Sequence, residues 1–147
     1  MIEWFTTSSK PTLIGSASGV VSGLVGITPA AGYVDVSGAL VIGLGSGLVG
    51  YFGVVKLKKW LGYDDTLDVF GIHGLVGAFG AIATGIFANP MVNEGNSGLL
   101  YGNPDQVWIQ IQSVLIVSLY SAVATFIIYK VISLIFGTGR VLSLIHI

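Results

Sequence analysis

The chain has 147 residues, of which 53% are hydrophobic and 9% charged, with a formal net charge of −1 and a mean hydropathy of +0.88. Charged residues normally make up roughly a quarter of a water-soluble domain, so this composition excludes a globular fold with a polar shell and points to the bilayer. The balanced charge excludes a basic nucleic-acid surface, and the lack of cysteine excludes a disulfide framework or a thiolate metal site.

The opening "MIEWF" is too short to span a membrane and reads as the truncated end of a preceding helix. It has neither the basic flank nor the cleavage site of a signal peptide. Four apolar runs follow, at residues 13–31, 36–55, 69–88 and 107–136. At 1.5 Å rise per residue, about 20 residues cross the roughly 30 Å hydrocarbon core, so each run is expected to be a transmembrane helix. The fourth is long enough to tilt or protrude. Barrel strands would alternate in polarity, and these runs do not. The expected fold class is therefore an all-α integral membrane protein. Residues 1–136 form one transmembrane domain with four helices, and residues 137–147 a short cytoplasmic tail.

Orientation follows from the basic residues. Lys10 precedes the first run, Lys56, Lys58 and Lys59 follow the second, and Lys130 and Arg140 lie toward the end of the fourth. The alternate connections hold Asp35, Glu94 and Asp105 but no Lys or Arg. The positive-inside rule puts Lys10, the "KLKK" segment and the C-terminus in the cytoplasm.

Glycine is the next signal. Gly15, Gly19 and Gly23 recur every fourth residue, as do Gly43 and Gly47, and Gly77, Ala81 and Gly85 continue the pattern. Such stripes let helix backbones approach closely in lipid, and packing within the bundle is the expected use. "GSGLVG" at residues 45–50 matches a dinucleotide fingerprint in spelling only, because it lies inside an apolar span with no preceding strand. There is no paired carboxylate within a span, no G-x-S-x-G and no histidine pair at metal-ligand spacing. No enzyme is expected, and no cofactor.

That leaves "DVFGIHGLVGAFGAIATGIFA", residues 68–88, where His73 stands among glycines at positions 71, 74, 77 and 80. An imidazole in a membrane helix needs a partner from a neighbouring helix or a cavity, and intramembrane ionisable groups usually mark a pathway. No side chain one turn away on its own helix can serve, so the partner must come from elsewhere. His146, near the terminus, carries no such reading.

These residues also carry a resemblance. "GYDDTLDVFGIHGLVGAFGAIATGIFA" resembles the tenth transmembrane helix of the ammonium transporters of the Amt/Mep family, and "KPTLIGSASGVVSGLVGITPAAGYV" resembles their eighth. The similarity runs from Lys10 to about Lys130. It implies an eleven-helix protomer, N-terminus outside and C-terminus inside, of which this chain holds the end of helix seven and helices eight to eleven. It further implies plasma-membrane homotrimers, with a narrow hydrophobic pore through each protomer that moves NH₄⁺/NH₃. His73 takes the place of one of two hydrogen-bonded pore histidines, and the other falls outside this chain. Val69, one turn away, would line the inner pore, and Asp68 would cap the helix N-terminus. A PII-type regulatory protein would meet the cytoplasmic face at "KLKKWLGYDDT". "LSLIHI" stands where a charged extension is expected, so the tail is read as truncated. The alternative function is a small membrane scaffold without transport.

Overall fold

The computed structural model describes Lys10 and residues 12–137; the expected helix end at "MIEWF", Arg140, His146 and the rest of the tail lie outside the described residues. Those residues form helices and turns: α1 Leu13–Ala30, α2 Val36–Leu61, α3 Phe70–Phe87 and α4 Asp105–Phe136. Each is long and apolar enough to cross a membrane. Two compact units result, divided between Val114 and Leu115. The first contains α1 to α3 and the opening turns of α4. The second is the remainder of α4, in which the Lys130 ammonium lies 5.5 Å from the centre of the Phe126 ring, one turn back.

α1 and α2 begin where a polar side chain takes an orphaned amide. Thr12 accepts from the Gly15 N–H at 3.0 Å to open α1, and Asp35 accepts from the Gly38 N–H at 2.8 Å to open α2. Between them α1 tightens into a 3₁₀ turn at Thr28–Ala30, with Pro29 at its start, and Gly32 at φ 82° turns the chain. α2 runs beyond the apolar stretch that ends at residue 55. Lysine is a good helix former, so hydropathy marks where lipid would stop and not where the helix does. The helix ends at Gly62, whose φ of 63° gives the left-handed cap that glycine adopts without strain.

The pentapeptide Ser-Gly-Leu-Val-Gly occurs twice, at residues 22–26 and 46–50. α1 and α2 pack antiparallel through the two copies: a Cβ on Gly26 would overlap the Ser46 hydroxyl, and one on Gly50 would overlap that of Ser22. Both serines are buried and bond back along their own helices, to the carbonyls of Ile42 at 2.6 Å and Ser18 at 2.7 Å. Polar atoms are thus satisfied without widening the contact. α3 lies across this pair. Gly80 meets the Gly26 backbone, the fully buried Val76 side chain fits against both Gly26 and Gly50, and the Phe79 ring covers Gly45. Ala30, Ile42 and Ala83 complete the core.

The glycines that pack are therefore not those of the expected stripes, Gly85 excepted, which meets the backbone of Gln106 and Val107 at about 3.0 Å. Gly19, Gly23, Gly43 and Gly47 find no atom within 4 Å of an added Cβ. The stripes of α1 and α2 lie on helix faces turned away from the bundle, whereas in α3 Gly77 reaches Val25 at 4.0 Å and Gly85 packs; the tightest contacts fall on Gly26, Gly50 and Gly80.

Candidate functional site

His73 lies in the first turns of α3, within a π-helical stretch at Phe70–Leu75. Its side chain is exposed, as are those of Val69, one turn before it, and the intervening Phe70. Among the described residues none hydrogen-bonds the imidazole. His73 and Val69 thus share one face of α3, pointing away from α1 and α2, whereas Gly71, Ile72 and Val76 point inward. The face they share is apolar apart from the imidazole.

Asp68 plays a different part from the expected one. It opens the helical ladder with its carbonyl, which accepts from the Ile72 N–H at 2.9 Å. Its carboxylate, however, pairs with Lys58 Nζ at 2.7 Å. The side-chain cap is Asp65, which accepts from the N–H groups of Val69 at 2.8 Å, Phe70 at 2.9 Å and Gly71 at 3.4 Å. Asp68 stands at φ 55°, in the left-handed region, with its carboxylate on Lys58 and not on the amides that follow. Capping-box spacing would not have identified Asp65, because its carboxylate takes amides four to six residues on and the Asp68 side chain pairs with Lys58. Lys58 Nζ also donates to the Asp65 carbonyl. Tyr63, in the same connection, sets its ring edge-on to Phe70, with centroids 5.6 Å apart.

The other end of the bundle is tied by a second polar group. Asn89 donates its N–H to the Tyr33 carbonyl at 2.7 Å, and its amide donates to the Tyr101 hydroxyl at 2.8 Å and to Asp35 at 3.3 Å. The Gly38 N–H, and after it the Ser37 hydroxyl, hold the Asp35 carboxyl below its usual range; burial opposes them, and Asn89 and Tyr101 add to them. A cavity of about 270 Å³ opens nearby, lined by Tyr33, Thr84, Asn96 and Gln110 among others. His73 is not among the residues that line it. No cluster of metal-ligating side chains occurs among the described residues.

The site's chemistry is thus one imidazole on an apolar, outward helix face, held at its base by an aspartate cap and an ion pair. Residues 1–142 match the model of the Ammonium Transporter Family. An ammonium transporter of Aquifex aeolicus is 51% identical over 92% of this chain and 31% of its own length. One of Bacillus subtilis is 45% identical over 91% and 33%. In three dimensions the chain is similar to the crystal structure of Saccharomyces cerevisiae Mep2, with a TM-score of 0.83 and 36% identity over 90% of this chain and 30% of that one. The chain spans about a third of the length of these relatives.

Proposed function

The chain belongs to the ammonium transporter family and is an integral membrane protein, and from that premise we propose that it supplies one wall of a pore moving NH₄⁺/NH₃, with His73 and Val69 on the pathway. The observation that carries the proposal is the orientation of His73. A polar ring on an outward face, unbonded among the described residues and surrounded by apolar side chains, needs a partner from outside α1 to α4. If buried there unpaired it would cost roughly 1–3 kcal/mol. A second histidine from the rest of an eleven-helix protomer would meet that need.

The chemistry suits the geometry. Stripping water from NH₄⁺ in an apolar channel is costly, whereas neutral NH₃ passes readily, so the cation gives up its proton before the narrow part. Imidazole nitrogens can accept hydrogen bonds from the passing substrate and hand a proton along. Val69 would keep the passage dry. Domain organisation follows the same proposal: residues 1–136 form part of the transmembrane domain, and residues 137–147 the tail. The protomers assemble as plasma-membrane homotrimers, with Lys10, the Lys56–Lys59 segment and the C-terminus cytoplasmic. A PII-type protein docks on that lysine-bearing face. The family is one of transporters rather than enzymes.

The test is occlusion. In the Bacillus subtilis relative carrying residues 10–137 in place of its matching third, Val69→Trp adds bulk on a side chain that is 52% exposed, so it does not disturb the bundle. Ammonium uptake should stop while protein level and assembly stay normal. Undiminished uptake would remove Val69, and with it this face of α3, from the pathway.

A further inference from the structure

Two π-helical stretches lie side by side: Phe52–Leu57 in α2 and Phe70–Leu75 in α3. Their backbones touch at glycines. A Cβ on Gly53 would stand 2.9 Å from the Gly71 Cα, and one on Gly71 would stand 3.1 Å from the Gly53 carbonyl carbon and the Val54 nitrogen.

The second stretch decides where His73 points. In a regular α-helix each residue turns about 100°, so His73, seven residues before Gly80, would lie within about 20° of it around the axis. Val69, eleven residues before Gly80, would fall on the same line. Gly80 is packed on the Gly26 backbone. A regular α3 would therefore drive the imidazole and Val69 into α1, and would turn Gly71 to the opposite side. The structure has the reverse: Gly71 and Val76, five residues apart, are buried, and His73 is exposed. Five is the π repeat, and single π turns of this kind recur at functional positions. The widened turn is what releases His73 from the helix packing.

The amides entering that turn are held from below. Asp65 takes the N–H groups of Val69, Phe70 and Gly71. Lys58, the first residue beyond the π stretch of α2, binds both the Asp65 carbonyl and the Asp68 carboxylate. The side chains of Lys58 and Asp68 are only 31% and 22% exposed, so the pair is partly shielded from solvent. Asp68 remains at its positive φ within this grip. Lys56 and Lys59, its neighbours, are exposed and bind nothing there.

We infer that Lys58 is a positioning residue for His73: by gripping Asp65 and Asp68 across the paired π turns, it sets the helical register that turns His73 and Val69 outward. The functional meaning of this register rests on the pathway proposed above, but the register can be measured without transport. The chain has no cysteine, so a nitroxide on His73→Cys reports one site. In membrane nanodiscs that label should be mobile. Adding Lys58→Met should return the turn toward α-helical register and raise the immobilised fraction several-fold. Asp68→Asn, which keeps the side chain's size, should do the same; Lys58→Arg should restore mobility, and Lys59→Met should leave it unchanged. A label as mobile in Lys58→Met and in Asp68→Asn as in the chain that keeps both residues would overturn the inference, as would an unfolded Lys58→Met alongside an unaltered Asp68→Asn. Ammonium uptake measured in parallel bears only on the pathway: an immobilised label with normal uptake keeps Lys58 as the positioning residue and discards the pore role of His73.

Discussion

Gly80→Ala asks whether α1 and α3 meet backbone to backbone. A Cβ at position 80 would overlap the Gly26 carbonyl oxygen and stand 2.9 Å from its carbon and 3.0 Å from its Cα. These are main-chain atoms inside a helix and cannot swing aside, so the two helices must part and lose the dispersion contacts that hold them together in lipid. Overpacking a close-packed site costs about 1–3 kcal/mol, and unyielding neighbours place this one toward the upper end, about 2–3 kcal/mol. Against it stands the gain of roughly 0.5–1 kcal/mol that alanine brings over glycine in a helix. Gly43→Ala brings that gain alone, because nothing lies within 4 Å of its Cβ. The helix contribution cancels between the two variants and leaves a difference of about 2–3 kcal/mol. Titrating the purified chain with SDS in mixed micelles, followed by far-ultraviolet circular dichroism, measures it. Equal midpoints for Gly80→Ala and Gly43→Ala would refute the packing described here.

Asp65→Ala should destabilise the same chain by about 1 kcal/mol in that titration, the usual worth of a helix cap, and by more than Asp68→Asn, whose partly exposed ion pair contributes less than about 1 kcal/mol. The Asp35 carboxyl is held below its ordinary value of 3.8 in the folded chain. Its contribution to stability is therefore present above that value and lost as pH falls through the lower folded one, and Asp35→Asn should flatten this acid limb in unfolding measured against pH. For orientation, a single cysteine at Asn96 in intact cells should react with an impermeant thiol reagent added outside; labelling only from the cytoplasmic side would reverse the topology.

Much of the architecture was legible in the sequence because lipid imposes a simple rule: about 20 apolar residues in a row, bounded by polar ones, become a helix. Hydropathy could not locate the end of α2, since Lys56, Lys58 and Lys59 are compatible with helix while foreign to lipid. The π turns were invisible for a related reason. They bring Gly53 against Gly71, a contact between residues 18 apart that no 3.6-residue periodicity encodes. Asp68 stands nearest the start of the helix in sequence, but its positive φ and its pairing with Lys58 are set by the fold and cannot be read from the sequence. The glycine stripes of α1 and α2 misled because small residues at every fourth position say that some backbone comes close without saying which. The repeated Ser-Gly-Leu-Val-Gly, whose first and last residues make the α1–α2 contact, was the better guide.

The central claim concerns what His73 faces when the pore is whole. The most direct measurement is ammonium-evoked current, with K⁺ as competitor, across membranes holding the Bacillus subtilis chimera that carries this segment, with and without His73→Ala. A pathway histidine requires the current to vanish or to lose its discrimination against K⁺ while assembly and protein level stay normal. Wild-type current and selectivity in a normally assembled His73→Ala protein would make the imidazole a surface residue of α3 and contradict the pathway proposed for it.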